Sequence, residues 1–343
     1  MNRVDGARSA WRVVMALVAA VMCVAALSAC GGDDGGGGGT SEVKPATLKV
    51  GVIPIADVAP LYLGIRKGFF AKEKLTIEPV LAEGGAAIVP AVISGSDQIG
   101  FSNATSLVIA SSKKLPVQMI SQGDIGGESS DDAPDGVIVH KDSTIREPKD
   151  LEGKTVSVNN LNNVGPLTIS RTLEKAGADP KKIKFTEVPF PDALAALEAK
   201  RVDATFVVEP FETAALKAGH RVLLHSFEET APSYTVATYF TTKEYIQKNP
   251  DIVERFVRAI NASMEYAESH HEEVRDIVTT YTKIPAPLAK EMVLPHWAAD
   301  LHEDTIQLTI DLAAKYGFIE DKPALDDLIH RASSSGGSGG GGY

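Results

Sequence analysis

Hydrogen-bonding side chains gather directly after the predicted strands of this 343-residue chain. In α/β sheets, ligands bind at the carboxyl ends of strands, where loops and helix N-termini present backbone N–H groups. This rule predicts a small-molecule site made of Ile55, Asp57, Gly84, Gly85, Ser102, Asn103, Thr105, Gln122, Asn159, Asn160, Asn162, Glu209, Phe211 and Tyr234. The segment from Pro189 to Asp192 is a weaker addition. Such residues suit reversible binding through hydrogen bonds.

Several of these positions also have a purely structural interpretation. Gly84 and Gly85 allow backbone to approach a ligand closely, but they equally suit a tight turn. Asn103 and its polar neighbours either contact ligand or cap a helix. The asparagines around Leu161 exceed what one turn requires, which favours contact by at least one of them. Glu209 either binds ligand or fixes its lobe through a salt bridge.

The charged residues of the predicted site limit the possible charge of the ligand but do not identify the ligand. None of the strand-end stretches contains Lys or Arg, so no bidentate clamp for a carboxylate or sulfonate is present. An anion would depend on backbone N–H groups and on Asn, Ser and Thr side chains. Alternatively, the ligand is neutral or carries an amine or a protonated ring nitrogen facing Asp57, Asp124 or Glu209. A zwitterion would satisfy both requirements.

Catalysis and metal binding are poorly supported by the motifs. The stretch from Gly100 to Ala104 loosely resembles a nucleophile elbow with Ser102 as the nucleophile, but no histidine follows in the usual order. Adjacent His270 and His271 would point apart on a helix. We therefore predict no catalytic residue, no metal site and no cofactor, and a hydrolase using Ser102 is the minor alternative.

Strand-like and helix-like segments alternate along most of the chain, which predicts an α/β protein with mostly parallel sheets covered by helices. The pattern starts at Thr47, restarts near Thr155 and becomes wholly helical after Phe240. It predicts two lobes, one from residues 47–138 and 240–331 and the other from residues 139–239. Strands near Val137 and Val236 would carry the chain between the lobes.

The N-terminus has the features of an export signal. Basic residues precede an apolar run from Val13 to Leu27, which at about fifteen residues is shorter than the ~20 that a spanning helix needs. The run ends in Leu27-Ser28-Ala29-Cys30, which resembles the bacterial lipobox and implies lipidation of Cys30. We expect a signal peptide over residues 1–30, a flexible Gly-rich linker over 31–46, and a disordered tail or cloning remnant over 332–343.

Composition excludes some partners. The formal net charge of −11 argues against binding to nucleic acid. Of the two cysteines, Cys23 lies in the predicted signal, so the mature chain would contain no internal disulfide and would be stabilised by its core alone.

A series of short motifs, in order, resembles one known family. They are Gly51–Pro54 with Ala59–Tyr62, Lys67–Phe70 with Leu75, Ala91–Gly95, Asp97–Gly100, Asp150–Val156, Ala193-Leu194 with Ala199, Val202–Ala204 and Val208–Phe211. Each motif is weak alone, but together they are similar to periplasmic-binding-protein-like type II domains of the nitrate/sulfonate/taurine class. That class also holds proteins for the thiamine pyrimidine precursor.

The resemblance implies a two-lobed clam that captures a small organic solute for an ABC importer. It also implies ABC permease subunits as partners, a monomer, and attachment to the extracytoplasmic face of the cell membrane through the lipid on Cys30. A ligand-sensing lipoprotein with the same fold is the alternative. Pyrimidine-forming enzymes of this fold use cysteine-rich and histidine motifs that this chain lacks.

Overall fold

The computed structural model describes residues 43–331. The predicted signal peptide, Cys30, residues 31–42 of the predicted linker and the tail over 332–343 lie outside the described residues. Within the described part, the strands form two five-stranded sheets. No helix in this part of the chain is long and apolar enough to cross a membrane.

The first sheet has the strand order β2-β1-β3-β10-β4. β1, β2 and β3 pair in parallel, whereas β10 is antiparallel to both of its neighbours. Its strands are β1 (Ala46–Val52), β2 (Leu75–Leu81), β3 (Ile99–Asn103), β4 (Val117–Ile125) and β10 (Thr235–Thr242).

The second sheet repeats this arrangement with the order β7-β6-β8-β5-β9. Here β6, β7 and β8 are parallel, and β5 is antiparallel to β8 and β9. Its strands are β5 (Asp135–Val139), β6 (Thr155–Val158), β7 (Lys184–Glu187), β8 (Ala204–Val208) and β9 (Arg221–Leu224).

The chain passes between the two sheets at two places. It leaves the first sheet after β4 and enters the second at β5, and it returns through residues 231–234 to β10. The whole of β5 therefore belongs to the second sheet and the whole of β10 to the first. By sheet membership, the passages fall at 126–134 and 231–234, a few residues before the predicted boundaries at 138 and 239.

Helices cover the faces of both sheets. In the first lobe they are α1 (Ala59–Lys67), α2 (Phe69–Lys72), α3 (Gly85–Ile93), α4 (Ala104–Ser112), α9 (Lys243–Lys248), α10 (Pro250–Ser269), α11 (His271–Tyr281), α12 (Ala286–Ala289), α13 (Glu303–Lys315) and α14 (Leu325–Leu328). In the second they are α5 (Val164–Lys175), α6 (Phe190–Glu198), α7 (Phe211–Lys217) and α8 (Ser226–Thr230). Short 3₁₀ turns occur at Ala56–Val58, Pro148–Leu151 and Pro180–Lys182.

Burial follows from this layering. Every residue of β3, β5, β8 and β10 is buried, as expected for central strands covered on both faces. The edge strand β2 instead begins with alternating buried and exposed residues. The helical segment between β1 and β2 is divided into α1 and α2, because Gly68 adopts a left-handed conformation (φ 78°) that ends α1.

Candidate functional site

A small cavity lies between the carboxyl ends of the two sheets. Its volume is about 30 Å³, which is room for about one water molecule. We call it the inner cavity. Both lobes line it, through Ile53, Ile55, Asp57, Phe101, Asn103, Val236 and Ala237 from the first and Asn159, Asn163, Val164, Phe190, Phe206, Val208 and Phe227 from the second.

A larger cavity of about 340 Å³ lies beside the inner one. We call it the outer cavity, and the two together the cleft. Ile53, Ile55 and Phe190 line both cavities, so these side chains stand at the boundary between them. The remaining lining residues of the outer cavity are Pro54, Leu81, Ala82, Glu83, Pro189, Pro191, Asp192 and Phe211.

Hydrogen bonds join the two lobes around the cleft. The amide of Ala56 donates to the carbonyl of Glu209 at 3.0 Å. The Ser106 hydroxyl donates to the carbonyl of Asn162 at 2.7 Å, and Asn159 Nδ2 lies 3.5 Å from the carbonyl of Glu83. The structure is therefore the closed arrangement, in which the lobes touch.

Gly84 and Gly85 lie in the first lobe at positions where neighbouring side chains approach the backbone very closely. A Cβ atom on Gly84 would lie 1.9 Å from Asn160 Oδ1 and 2.9 Å from Asn159 Nδ2, both in the second lobe. A Cβ on Gly85 would lie 2.3 Å from Ser102 Oγ. Gly84 is extended (φ 178°), so the requirement for glycine here is one of space rather than backbone conformation. Gly84 therefore permits close approach between the lobes in this closed state, and Gly85 permits close packing against Ser102 within the first lobe.

Asparagine side chains cap the N-termini of two helices at the cleft. Asn103 Oδ1 accepts from the amide of Ser106 at 2.8 Å and caps α4, and Asn163 Oδ1 accepts from the amide of Val164 at 2.7 Å at the start of α5. Both caps also line the inner cavity. Capping and cavity lining, predicted as alternatives for Asn103, are combined in one side chain.

The asparagines after β6 differ in role. Asn159 lines the inner cavity, and its Oδ1 accepts from Asn163 Nδ2 at 2.7 Å. Asn160 is directed to Gly84, whereas the Asn162 side chain is exposed and only its carbonyl bonds the other lobe. Among the asparagines after β6, Asn159 and Asn163 thus face the cleft.

Two buried aspartates lie together at the first-lobe side of the cleft. Asp57 is 4% exposed and lines the inner cavity, and Asp124 behind it is fully buried. No amide, hydroxyl or ammonium donor among residues 43–331 satisfies Asp57 Oδ2 or either carboxyl oxygen of Asp124. Burial raises the pKa of Asp57, and burial together with the neighbouring Asp57 raises the pKa of Asp124 well above its usual range.

The carboxylate of Glu209 accepts hydrogen bonds from other protein groups and does not face the cavity. Its carboxylate accepts from the hydroxyl and amide of Thr213 at 2.6 and 3.1 Å, and from the amide of Val293 in the first lobe at 3.1 Å. Burial raises its pKa to about 7. The carboxylate therefore holds the start of α7 and connects the lobes, close to the structural alternative predicted for it.

A second acidic group lies within the second lobe. Asp135 accepts from the amide and hydroxyl of Ser226 at 3.0 and 2.8 Å and so holds the start of α8. Burial, with repulsion from neighbouring carboxylates, raises the pKa of Glu212 and of Glu228 to about 9. Both glutamates are mostly protonated at neutral pH, so they add little negative charge to the cleft.

Other predicted site residues are fixed by their own lobe. Gln122 Nε2 donates to the carbonyls of Asp124 and Ala237, bridging β4 and β10. The Tyr234 hydroxyl bonds that of Thr309 at 2.6 Å. Ser102 donates to the carbonyl of Asn103, and Thr105 is fully buried in α4. In the closed structure, these four residues line neither cavity and lie behind the residues that do.

Three phenylalanines of the inner cavity, Phe101, Phe206 and Phe227, were not predicted as site residues, whereas a fourth, Phe190, lies in the segment predicted as a weaker addition. The rings of Phe190 and Phe211 stack with centroids 5.9 Å apart, and Phe206 packs edge-on against Phe227 at 5.8 Å. Phe190 follows β7 directly, so the strand-end rule reaches it through the Pro189–Asp192 segment. The walls of the cleft are consequently aromatic, with polar groups at a few points.

Two similar α/β lobes with a cavity between the carboxyl ends of their sheets define a two-lobed, periplasmic-binding-protein-like type II clam. Residues 55–274 match the family model described as NMT1/THI5 like, and the chain belongs to that family. Both the fold class and the family predicted from the motifs are confirmed.

Curated relatives of the chain are binding proteins. The taurine-binding periplasmic protein of Escherichia coli (strain K12) is 29% identical over 202 residues, which cover 57% of this chain and 60% of that protein. The match therefore spans less than two thirds of that relative. The formylaminopyrimidine-binding protein of Halalkalibacterium halodurans is 23% identical over 239 residues, covering 68% of this chain and 69% of that protein.

Solved structures share the fold at low sequence identity. The periplasmic aliphatic sulphonate binding protein SsuA from Escherichia coli has a TM-score of 0.69 and 19% identity, covering 87% of this chain and 96% of that one. The periplasmic nitrate-binding protein NrtA from Synechocystis PCC 6803 has a TM-score of 0.71 and 15% identity, covering 83% and 86%. At these identities the likeness establishes the fold alone.

Proposed function

We propose that this chain is the extracytoplasmic solute-binding component of an ABC importer, which captures a small organic molecule between its lobes and delivers it to membrane permease subunits. It acts as a monomer and makes or breaks no bond. The relatives' names support this role, since they bind taurine, formylaminopyrimidine, sulphonate or nitrate. A ligand-sensing protein of the same fold is the alternative.

The observation that carries the proposal is a cleft built from both lobes. A ligand can favour closure only if it contacts groups on both sides, because a conformational equilibrium shifts by the difference in affinity between its two states. Asp57 and Asn103 line the inner cavity from one lobe, and Asn159 and Phe190 from the other. Any molecule held there bridges the lobes.

The same geometry argues against the hydrolase alternative. A nucleophilic serine needs a general base within hydrogen-bond reach of its hydroxyl. The hydroxyl of Ser102 instead donates to the carbonyl of Asn103, and the residue is fully buried. In the described part of the chain, no group of three or more His, Cys, Asp or Glu side chains is placed to hold a metal ion.

We expect ligand to stabilise and compact the protein. A thermal-shift screen of residues 43–331 with taurine, alkanesulfonates, nitrate, aromatic acids, primary amines and pyrimidines selects the binder. A ligand at a hundredfold excess over its dissociation constant adds about 2.7 kcal/mol of stability. Small-angle scattering with that binder should show a smaller radius of gyration than the free protein. A saturating binder that produces no compaction contradicts capture between lobes.

The lipid anchor on Cys30 is the second part of the proposal. It is supported by the Leu27-Ser28-Ala29-Cys30 motif that follows the apolar run. Thioether linkage of a diacylglycerol to Cys30 would hold the domain at the outer face of the cell membrane.

Changing Cys30→Ser should therefore abolish lipid attachment. We expect an unprocessed precursor that incorporates no radiolabelled fatty acid and that separates differently on membrane fractionation. Cys23→Ser, in the apolar run, is the matched control and should leave labelling unchanged. Equal labelling of the Cys30→Ser protein and the native protein contradicts the anchor.

A further inference from the structure

The charged side chains that line the cleft are all acidic. The charged residues that line its two cavities are Asp57, Glu83 and Asp192, and no Lys, Arg or His is among the lining residues that the structure describes. A bound anion would therefore meet negative charges with no opposing cation, and their repulsion strengthens as water is excluded. The relatives' named ligands include sulphonate and nitrate, both anions.

Asp57 is the acid that reaches the inner cavity. It is 4% exposed, and among residues 43–331 its only carboxyl partner is the neighbouring Asp124, while no amide, hydroxyl or ammonium donor there reaches its Oδ2. A buried carboxylate without a donor is unfavourable, and each supplied charge-assisted hydrogen bond removes part of that penalty. The unsatisfied oxygen and the adjoining space together define a position for a donor that belongs to a ligand.

Backbone donors that could hold an anion are largely occupied. The free amides at the starts of α4 and α5 would attract negative groups. Asn103 and Asn163 already accept from the amides of Ser106 and Val164 there. Of the helices that begin at the cleft, α3 at Gly84 and α6 at Pro189 have no side-chain cap. Asp57 is therefore the charged group that the described lining of the inner cavity offers to a ligand.

The aromatic side chains that form the walls of the cleft also suit a cationic ligand. Phe101, Phe190, Phe206 and Phe227 surround the same space as Asp57. Aromatic faces attract cations and also pack well against a flat apolar body. Phe190 and Phe211 extend this surface into the outer cavity of about 340 Å³. A ligand with a cationic head and an apolar or aromatic body matches both parts of the cleft.

We propose that the cleft binds an organic cation, with a primary ammonium or an amidinium-like group donating to Asp57 and an apolar or aromatic body lying among the phenylalanines. This inference rests on the proposed function and specifies the ligand class of the same site. It sets the chain apart from relatives named for anions.

Three probes of one shape test the charge requirement: 2-phenylethylamine, 2-phenylethanol and 2-phenylethanesulfonate. Thermal shift and calorimetry at millimolar probe should show binding of the amine, at least about tenfold weaker binding of the alcohol, and none of the sulfonate. Binding of the sulfonate in preference to the amine overturns the proposal, and so does failure of the amine to bind.

Asp57→Asn should weaken amine binding by at least about tenfold. Its unliganded melting temperature should be equal or higher, because the amide removes a buried carboxylate, and circular dichroism checks folding. Asp321→Asn, an exposed carboxylate that lines neither cavity, is the matched control and should stay within about threefold of native affinity. Equal losses in the two variants point to a general field effect and contradict the direct contact.

The outcome is separable from the proposed function. If the sulfonate or one of the relatives' ligands binds and compacts the protein, solute capture stands and the cation inference fails. If the amine binds at Asp57 without compaction, the ligand class stands and capture between lobes fails.

Discussion

Gly84→Val is expected to weaken ligand binding by roughly ten- to a hundredfold while leaving the fold intact. A Cβ on Gly84 would lie 1.9 Å from Asn160 Oδ1, so the added atoms collide only when the lobes are closed. Overpacking of this kind costs about 1–3 kcal/mol, and here that penalty falls on the closed state. Calorimetry measures the affinity, and scattering should show that the saturated variant is less compact than the native protein.

Two further variants make the Gly84 result specific. Ala87→Val places the same side chain on an exposed position of α3 and should bind normally. Asn160→Ala in the Gly84→Val background should restore part of the affinity, because it removes the atom that the valine meets first. Normal affinity in Gly84→Val, or no recovery in the double variant, means that the contact between Gly84 and Asn160 does not limit closure.

Phe190→Ala is expected to reduce both stability and affinity. The ring is 5% exposed, packs between Phe206 and Phe211, and lines both cavities. Truncation of a buried phenylalanine costs about 3–5 kcal/mol, and the lower end applies to a ring beside an existing cavity. The loss also merges the two cavities, so we expect the selected ligand to bind at least about tenfold more weakly and bulkier analogues to be tolerated better.

Phe185→Ala separates the two effects of the Phe190 change. Phe185 lies on β7 of the same lobe, is partly buried, and lines neither cavity. Its truncation should lower the free energy of unfolding measured in urea but leave the affinity of the folded protein nearly unchanged. If both alanine variants lose affinity to the same extent, the loss reflects lobe stability and Phe190 has no direct part in binding.

Much of the architecture was accessible from the sequence because each strand carries its own signal. The central strands β3, β5 and β8 are buried throughout, as strands covered by helices on both faces of a sheet should be. The α/β class, with mostly parallel sheets flanked by helices, followed from the alternation of segments, and the family followed from the motifs. The positions at which the chain passes between the sheets were harder to predict from the sequence, because the composition of a strand does not show which of the two sheets it joins.

The candidate site was only partly accessible, for a physical reason. The strand-end rule locates Asp57, Asn103 and Asn159, which line the inner cavity. It cannot show that Phe206 faces this cavity, because all five residues of β8 are buried and periodicity gives no side. Nor can it show that Asn160 meets Gly84, since that contact depends on how two separately folded sheets approach each other.

The strand order has a consequence for how the chain reaches its native state. The second sheet is built from one continuous stretch, β5 to β9, whereas the first needs β10 between β3 and β4. That pairing sets Ala237 opposite Asn103, so it closes a long loop and is slow compared with local contacts. We expect the inserted lobe to form first, and its folding to draw the two ends of that loop together. Until β10 arrives, β3 and β4 present unpaired edges, and this half-formed sheet is the species most exposed to aggregation during folding.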